Sequence, residues 1–486
     1  MIASLQPQAL WKIFAMLCEC PRPSGHEERV LQAIEAFCQQ HQLDYQRDDI
    51  GNLLIRKPAS LGFEDCQGII MQGHVDMVPQ KTNSSAHDFT RDPITPIIDG
   101  DWVHAKETTL GADNGMGVAA ALAVLIEPNL QHGPLEVLLT VDEESGMTGA
   151  QHLRKNWLQG DILLNLDTED EGELYVGCAG GVDLTAQQTL QWQAMPSAYQ
   201  TLVVTVSGLR GGHSGLDIDK GRANANLLAN QILASAHSKF NAFGIAMKGG
   251  TLRNAIARDA QLTLALPQDK VADFTSLMAD FNTTLNSQYA DVETAINIHV
   301  ATGDHQSQVW DELTTTRVIS LLDHCVHGVT RMSDTFTGVV ETSNNVAVVA
   351  TDDNQITIQC MMRSLNNSDR DKLAEQLSSA LQDLGANVVI SGEYPGWLPD
   401  RESTILTVMQ NVHQKLTGEL PKVKVIHAGL ECGLLGEQYP HWDMISFGPT
   451  IRHAHSPDEK VHIPSVATFW QWLLATISEI AQGSKA

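Results

Sequence analysis

The 486-residue chain has no stretch both long and apolar enough to cross a bilayer or to act as a secretion signal, so a soluble, cytoplasmic protein is expected. Paired cysteines are missing too. The eight cysteines (Cys18, Cys20, Cys38, Cys66, Cys178, Cys325, Cys360 and Cys432) never form a CxxC pair, which excludes a sulfur-ligated zinc or a dithiol redox couple and reads as reduced, mostly buried thiols. Basic residues are scarce: 31 Lys and Arg stand against 58 Asp and Glu, a formal charge of -27. Such a surface repels a phosphate backbone, and nucleic acid is excluded as a partner.

A 43 % hydrophobic content over this length calls for two or more domains with substantial cores. Ser24 and Glu27 have capping-box spacing ahead of an amphipathic run from His26 to about Leu43, and predict a helix there. Short β-rich runs at Ile69 to Gln72, Leu135 to Thr140 and Ile162 to Leu166, with a Gly- and Ala-rich helix from Gly115 to about Leu125, predict an α/β domain with a mostly parallel sheet.

From about residue 188 the pattern becomes α+β: strands at Thr201 to Ser207 and Gln261 to Leu266, helices at Arg222 to about Ser235 and Asp269 to about Ser287. The run beginning TLRNAIARDAQLTLALPQ is echoed by ETSNNVAVVATDDNQITIQCMMRS, each giving an Asn-containing strand, a turn, a strand and an amphipathic helix. Two related halves are therefore expected. GEYPGWLPD (Gly392 to Asp400) reads as a linker, after which a helix near Ser403 to Leu416, a strand at Met444 to Phe447 and a helix from Pro464 to about Ala481 resume the first pattern. The expected division is 1–187 with 396–486 as one discontinuous domain, and 188–395 as an insertion.

The chemistry-bearing residues cluster at predicted strand ends. IIMQGHVDMVP ends a strand with His74 and follows it with Asp76, a ligand type beside a carboxylate able to fix its tautomer. Asp113 precedes the glycine-rich helix, where an aspartate could equally be a cap. Asp142, Glu143 and Glu144 leave the next strand as adjacent carboxylates, which repel unless solvated or neutralised by cations. One glutamate on an ion with its neighbour free to take a proton is the arrangement a metal-assisted hydrolase needs. Asp167 and His455 follow two further strands. Open parallel sheets place their sites at such ends. Imidazole and carboxylate without thiolate suit zinc, manganese or cobalt, and a carboxylate-rich set can hold two ions.

The runs GHVDMVP, TTLGADNG, DEESGMTGA, NLDTEDEGE, GLRGGHSG, HAGLECG and HSPDE resemble those of the aminoacylase and carboxypeptidase G superfamily of di-zinc peptidases. Within it they are most similar to the aminoacyl-histidine (Xaa-His, carnosine-cleaving) dipeptidase group, along nearly the whole chain. The resemblance implies a catalytic domain carrying an inserted lid, and two divalent metals, zinc first with cobalt or manganese as alternatives. It implies Asp113 bridging both metals, His74 and Asp167 completing one site, and Glu144 and His455 the other. Glu143 would be the general base activating a bridging water, Asp76 the residue orienting His74, and His213 the stabiliser of the oxyanion. Asn345 and Arg363 would bind the substrate's C-terminal end, where Arg suits a carboxylate through bidentate hydrogen bonds.

The expected reaction is hydrolysis of unblocked dipeptides, preferably Xaa-His including carnosine; the alternative is deacylation of N-acyl amino acids. The first echo has Asn254 but no counterpart of Arg363, so the halves are not equivalent. Similar PepV-type dipeptidases carry a doubled lid that supplies within one chain what simpler relatives borrow from a dimer partner, which leaves a homodimer possible.

Overall fold

The computed structural model describes residues 2–483 and divides into two compact units. One comprises Met1–Gly177, Pro399–Val425 and Leu430–Ala486; the other comprises Cys178–Leu398 and Ile426–Gly429.

The first unit is organised by β1 (Ile69–His74), α1 (Ala112–Leu125), β2 (Leu135–Thr140), β3 (Ile162–Asn165) and β4 (Asp443–Ser446). These four strands lie side by side in the order β2-β1-β3-β4, all parallel. Each of β1, β2 and β3 is buried along its whole length, which explains their nearly unbroken apolar runs. The sheet has eight strands. Asp44–Arg47 and Leu53–Lys57 extend it antiparallel beyond β2, and Glu173–Cys178, antiparallel to β4, and Lys422–Ile426 lie beyond β4. The parallel sheet expected from the sequence is thus the centre of a mixed one. Helix α1 is buried on every side except at Asp113, and its run of Gly and Ala permits that close packing.

The second unit holds a nine-stranded antiparallel sheet and shows how the two echoed halves are built. Tyr199–Ser207, helix Ala225–Phe240, Phe243–Gly249, Ala260–Pro267, helix Val271–Gln288 and Asn297–Thr302 form one β-α-β-β-α-β unit. The other is Gly180–Thr189, helix Glu312–His324, Val340–Thr351, Gln355–Ser364, helix Asn367–Asp383 and Asn387–Tyr394. Each contributes four consecutive strands of the sheet, joined through Lys248↔Ala350 and Gly249↔Val349. The halves are nested, because Gly180–Thr189 precedes the first half in the chain and pairs with Gln355–Ser364 and Asn387–Tyr394 of the second.

Three expectations change. The division drawn at 187/188 cuts through Gly180–Thr189; the compact units part at Gly177/Cys178 and at Leu398/Pro399. The supposed linker Gly392 to Asp400 begins inside a strand, Asn387–Tyr394, and Trp397 bridges to Cys178. Ser24 is no cap: the helix Glu28–His41 has no side-chain cap, and the Ser24 hydroxyl donates to Asp76 Oδ2 at 2.8 Å instead. All eight cysteines are free thiols, seven of them buried. Among the described residues no helix is long and apolar enough to cross a membrane.

Candidate metal centre

His74 is the last residue of β1, Glu143 and Glu144 open a short helix just beyond β2, Asp167 follows β3, and His455 lies in the loop after β4. Because the four strands are parallel, all these segments emerge at one edge of the sheet. His74 Nε2 lies 3.2 Å from Asp113 Oδ1 and 3.4 Å from Asp167 Oδ1. His455 Nε2 lies 3.2 Å from Asp113 Oδ2 and 3.1 Å from Glu144 Oε2. Candidate ligand atoms of His74, Asp113 and Asp167 fall within 4.8 Å of one another, as do those of Asp113, Glu144 and His455, and those of His74, Glu143 and Glu144. Asp113 belongs to the first two sets, one oxygen facing each imidazole. Glu143 stands beside them, with Oε2 4.0 Å from His74 Nε2.

Asp113 owes its position to the start of α1. Its backbone leaves helical geometry at φ -79°, ψ 116°, and the preceding Gly111 adopts φ +70°. A side chain at 111 would be strained, and its Cβ would come within 2.6 Å of Arg22 Nη2. The Asp113 carboxylate caps nothing, so the cap reading of this residue is set aside.

A layer of buried polar groups lies within the sheet next to the centre. Gln72, Thr140, Asn165 and Ser446, from four adjacent parallel strands, are fully buried, as is Glu431. Asn165 Nδ2 donates to Gln72 Oε1 at 2.5 Å, and Gln72 Nε2 to Glu431 Oε2 at 2.6 Å. The Thr140 hydroxyl donates to the same Glu431 oxygen at 2.8 Å, and Asn165 Oδ1 accepts from Ser446 Oγ and from the Asp167 amide.

The electrostatics favour cations. Burial, with Asp167, Glu431 and Glu144 adding to it, raises Glu143 well above the ordinary carboxylate range; burial, with the charges of Asp113 and Glu431, pushes Asp167 up to about 7. The carboxylates of Asp113 and Glu144 lift His455, while at His74 those of Asp167, Asp113 and Asp76 outweigh the opposing effect of burial. Among the described residues no Lys or Arg pairs with Asp113, Glu143, Glu144 or Asp167, and Glu144 Oε1 is buried without a hydrogen-bond partner. Nitrogen and oxygen donors converging with surplus negative charge and an orphaned oxygen fit divalent cations.

Asp76 lies fully buried behind the centre. It sits 3.4 Å from His74 Nδ1 and accepts the backbone N–H groups of Glu143 and Glu144 at 3.1 and 3.2 Å. Buried as it is, its close contact with the His74 imidazole and the hydrogen bonds it accepts from Ser24 and Glu143 hold it down to about 2.

His213, Asn345 and Arg363 belong to the second unit. His213 Nδ1 accepts the N–H groups of Gly215 and Leu216, each at 3.1 Å, which leaves the ring proton on Nε2. Burial and the Arg363 charge lower its pKa to about 4, so the ring is neutral at pH 7. Arg363 is 3 % exposed, donates to Ser214 Oγ, Tyr394 Oη and Met361 Sδ, and has no carboxylate within 4 Å among the described residues. Asn345 Nδ2 is committed to the carbonyls of Arg253 and Ala255, which flank Asn254 of the first echo, while its Oδ1 is buried without a partner.

The sequence reading gave no role to three further residues. Arg22, with no motif around it to mark it, donates to the carbonyls of Val75, Asp76 and Gly111. Glu431 lies in HAGLECG, and Glu459 closes HSPDE and binds the backbone around Asp113. Acidic residues inside otherwise apolar or turn-forming runs were the available signal for both.

Fold and centre together define a hydrolase of the metallopeptidase class. The chain belongs to Peptidase family M20/M25/M40, whose profile matches residues 70–479. It is 46 % identical over 479 residues, 99 % of both chains, to the cytosol non-specific dipeptidase of Escherichia coli (strain K12). The crystal structure of aminoacylhistidine dipeptidase from Vibrio alginolyticus matches with a TM-score of 0.91 at 46 % identity, covering 98 % of this chain and 97 % of that one. Aminopeptidase PepT from Bacillus cereus ATCC 10987, at 16 % identity and a TM-score of 0.58 over 98 % of this chain and 99 % of that one, shares the fold.

Proposed function

We propose that the chain hydrolyses unblocked dipeptides, Xaa-His peptides such as carnosine among them, with two divalent cations, zinc first and cobalt or manganese as alternatives. His74, Asp113 and Asp167 would hold one cation; Asp113, Glu144 and His455 the other. Bound there, the cations would polarise the peptide carbonyl and make water acidic enough to attack at neutral pH. The observation that carries the reading is Asp113 shared between two ligand sets, one oxygen facing each imidazole; Glu143, which also groups with His74 and Glu144, belongs to neither of those two sets.

Glu143 then does the proton work. Standing beside both ligand sets, with Oε2 4.0 Å from His74 Nε2, it is placed to accept a proton from the attacking water as the C–O bond forms, and to return it to the leaving nitrogen as the C–N bond breaks. His213 is neutral with its proton on Nε2, and is assigned to donate to the oxygen that becomes negative. Arg363, buried with no carboxylate within 4 Å among the described residues, is assigned to the substrate carboxylate, and the orphaned Oδ1 of Asn345 to a donor at the same end of the substrate. The full-length similarity to a cytosol non-specific dipeptidase and to an aminoacylhistidine dipeptidase supports a dipeptide substrate.

Glu143→Gln should abolish turnover while two equivalents of metal remain bound. Loss of metal together with activity would overturn the assignment of the base. Carnosine assayed beside N-acetylated amino acids separates the two substrate classes: cleavage of the acetylated compounds alone would make the chain a deacylase.

A further inference from the structure

Glu459 is 2 % exposed, and both carboxylate oxygens are spent on one stretch of backbone. Oε2 accepts the N–H groups of Leu110 and Gly111 at 2.7 and 2.9 Å, and Oε1 those of Ala112 and Asp113 at 2.8 and 3.2 Å. Four consecutive amides thus converge on one side chain, which leaves it no role as a ligand. Arg22 holds the opposite side of the same turn by donating to Gly111 O. Glu459 itself is anchored: its N–H donates to Ser456 O at 3.0 Å, and the strand Lys460–His462, which starts at the next residue, pairs with Trp102–Ala105.

The two ligand sets differ in what steadies them. His74 ends a buried strand with Asp76 at its back, and the Asp167 amide is held by Asn165. Among the described residues, no carboxylate pairs with His455 Nδ1 and no hydrogen bond holds its amide. Its side chain is 53 % exposed, its backbone lies at φ +62°, and the turn around it is closed by Ser456 donating to His453 O. Glu459, four residues on, is the buried tie between that turn and Asp113.

Building on the two-cation reading above, we propose that Glu459 is a positioning residue chiefly for one ion, the one assigned to Asp113, Glu144 and His455, by fixing the register of the His455 turn against the Asp113 turn. The ion assigned to His74, Asp113 and Asp167 depends on it far less.

The test is zinc titration of the metal-free chain against a chromophoric chelator, comparing wild type, Glu459→Gln and His455→Ala. Glu459→Gln keeps the size of the side chain but turns an NH₂ toward two of the four amides. The expected result is two equivalents for wild type and, for Glu459→Gln, one equivalent close to wild-type affinity and one weakened about 10- to 100-fold, the effect common for groups that orient ligands. His455→Ala should lose the same equivalent. Equal weakening of both ions, or wild-type affinity for both, would overturn the proposal. Fewer than two equivalents in wild type would instead defeat the two-cation reading itself. Should Glu459→Gln not fold, Glu459→Asp, which keeps the charge but withdraws the oxygens by one methylene, gives the same readout.

Discussion

Asp76 accepts the backbone N–H of Glu143 at 3.1 Å with Oδ1, the same oxygen that lies 3.4 Å from His74 Nδ1. One buried carboxylate therefore sets the imidazole at the end of β1 and the glutamate beyond β2. Through Oδ2 it also holds the Glu144 amide and the Ser24 hydroxyl. Asp76→Ala should weaken metal binding about 10- to 100-fold. It should also lower kcat at saturating metal, because the Glu143 backbone loses its acceptor; kinetics at several metal concentrations separate the two effects.

The polar layer across the parallel strands makes a stability prediction. Asn165→Leu would strand Gln72 Oε1, the Ser446 hydroxyl and the Asp167 amide in a dry interior. Each buried group left unsatisfied costs about 1–3 kcal/mol. Chemical denaturation of the metal-free chain should show a loss of several kcal/mol, and the same change at an exposed asparagine should show almost none.

Acid should destabilise the second unit through His427. This ring is 7 % exposed, its Nε2 lies 2.8 Å from Ser343 Oγ, and burial with the nearby Arg363 charge lowers its pKa from 6.5 to about 3. Between those values the unfolded chain binds a proton that the folded chain refuses, so stability falls as pH drops through this window. From pH 6.5 to 5 the loss from this one group is at most about 2 kcal/mol. Urea denaturation of the metal-free chain at the two pH values should show a smaller pH dependence for His427→Gln than for wild type.

If Arg363 reads the substrate carboxylate, a dipeptide and its C-terminal amide should be told apart. Hydrogen bonds to charged groups contribute about 1.5–3 kcal/mol, so kcat/KM for the free acid should exceed that for the amide by about 10- to 100-fold. Arg363→Met should erase that ratio by lowering the rate on the acid while leaving the amide nearly unchanged. A ratio that survives the substitution would remove Arg363 from substrate recognition.

The convergence of the candidate site's side chains was more legible in the sequence than the build of the second unit. His74, Glu143, Glu144, Asp167 and His455 could be picked out because each follows a strand with a clear apolar pattern, and parallel strands gather their ends whatever the intervening chain does. The expected boundary at 187/188 ran through the strand Gly180–Thr189 because its partners lie far along the chain, and long-range pairing leaves no trace in local periodicity. Ser24 and Glu27 matched a local capping pattern, but Ser24 was taken by a tertiary acceptor, Asp76. Arg22 and Glu459 act on backbone groups of distant turns, and a residue's service to remote amides cannot be seen from its neighbours in sequence.

The nesting of the second unit imposes an order on synthesis. As the chain leaves the ribosome, Tyr199–Ser207 to Asn297–Thr302 can close as a complete four-stranded module, while Gly180–Thr189 must wait for Gln355–Ser364 and Asn387–Tyr394. At about 5–20 residues per second that wait is on the order of 10 s. The exposed edge of the waiting strand, bearing Val182, Leu184 and Ala186, is the segment through which a growing chain of this design would first meet a chaperone or a misplaced neighbour.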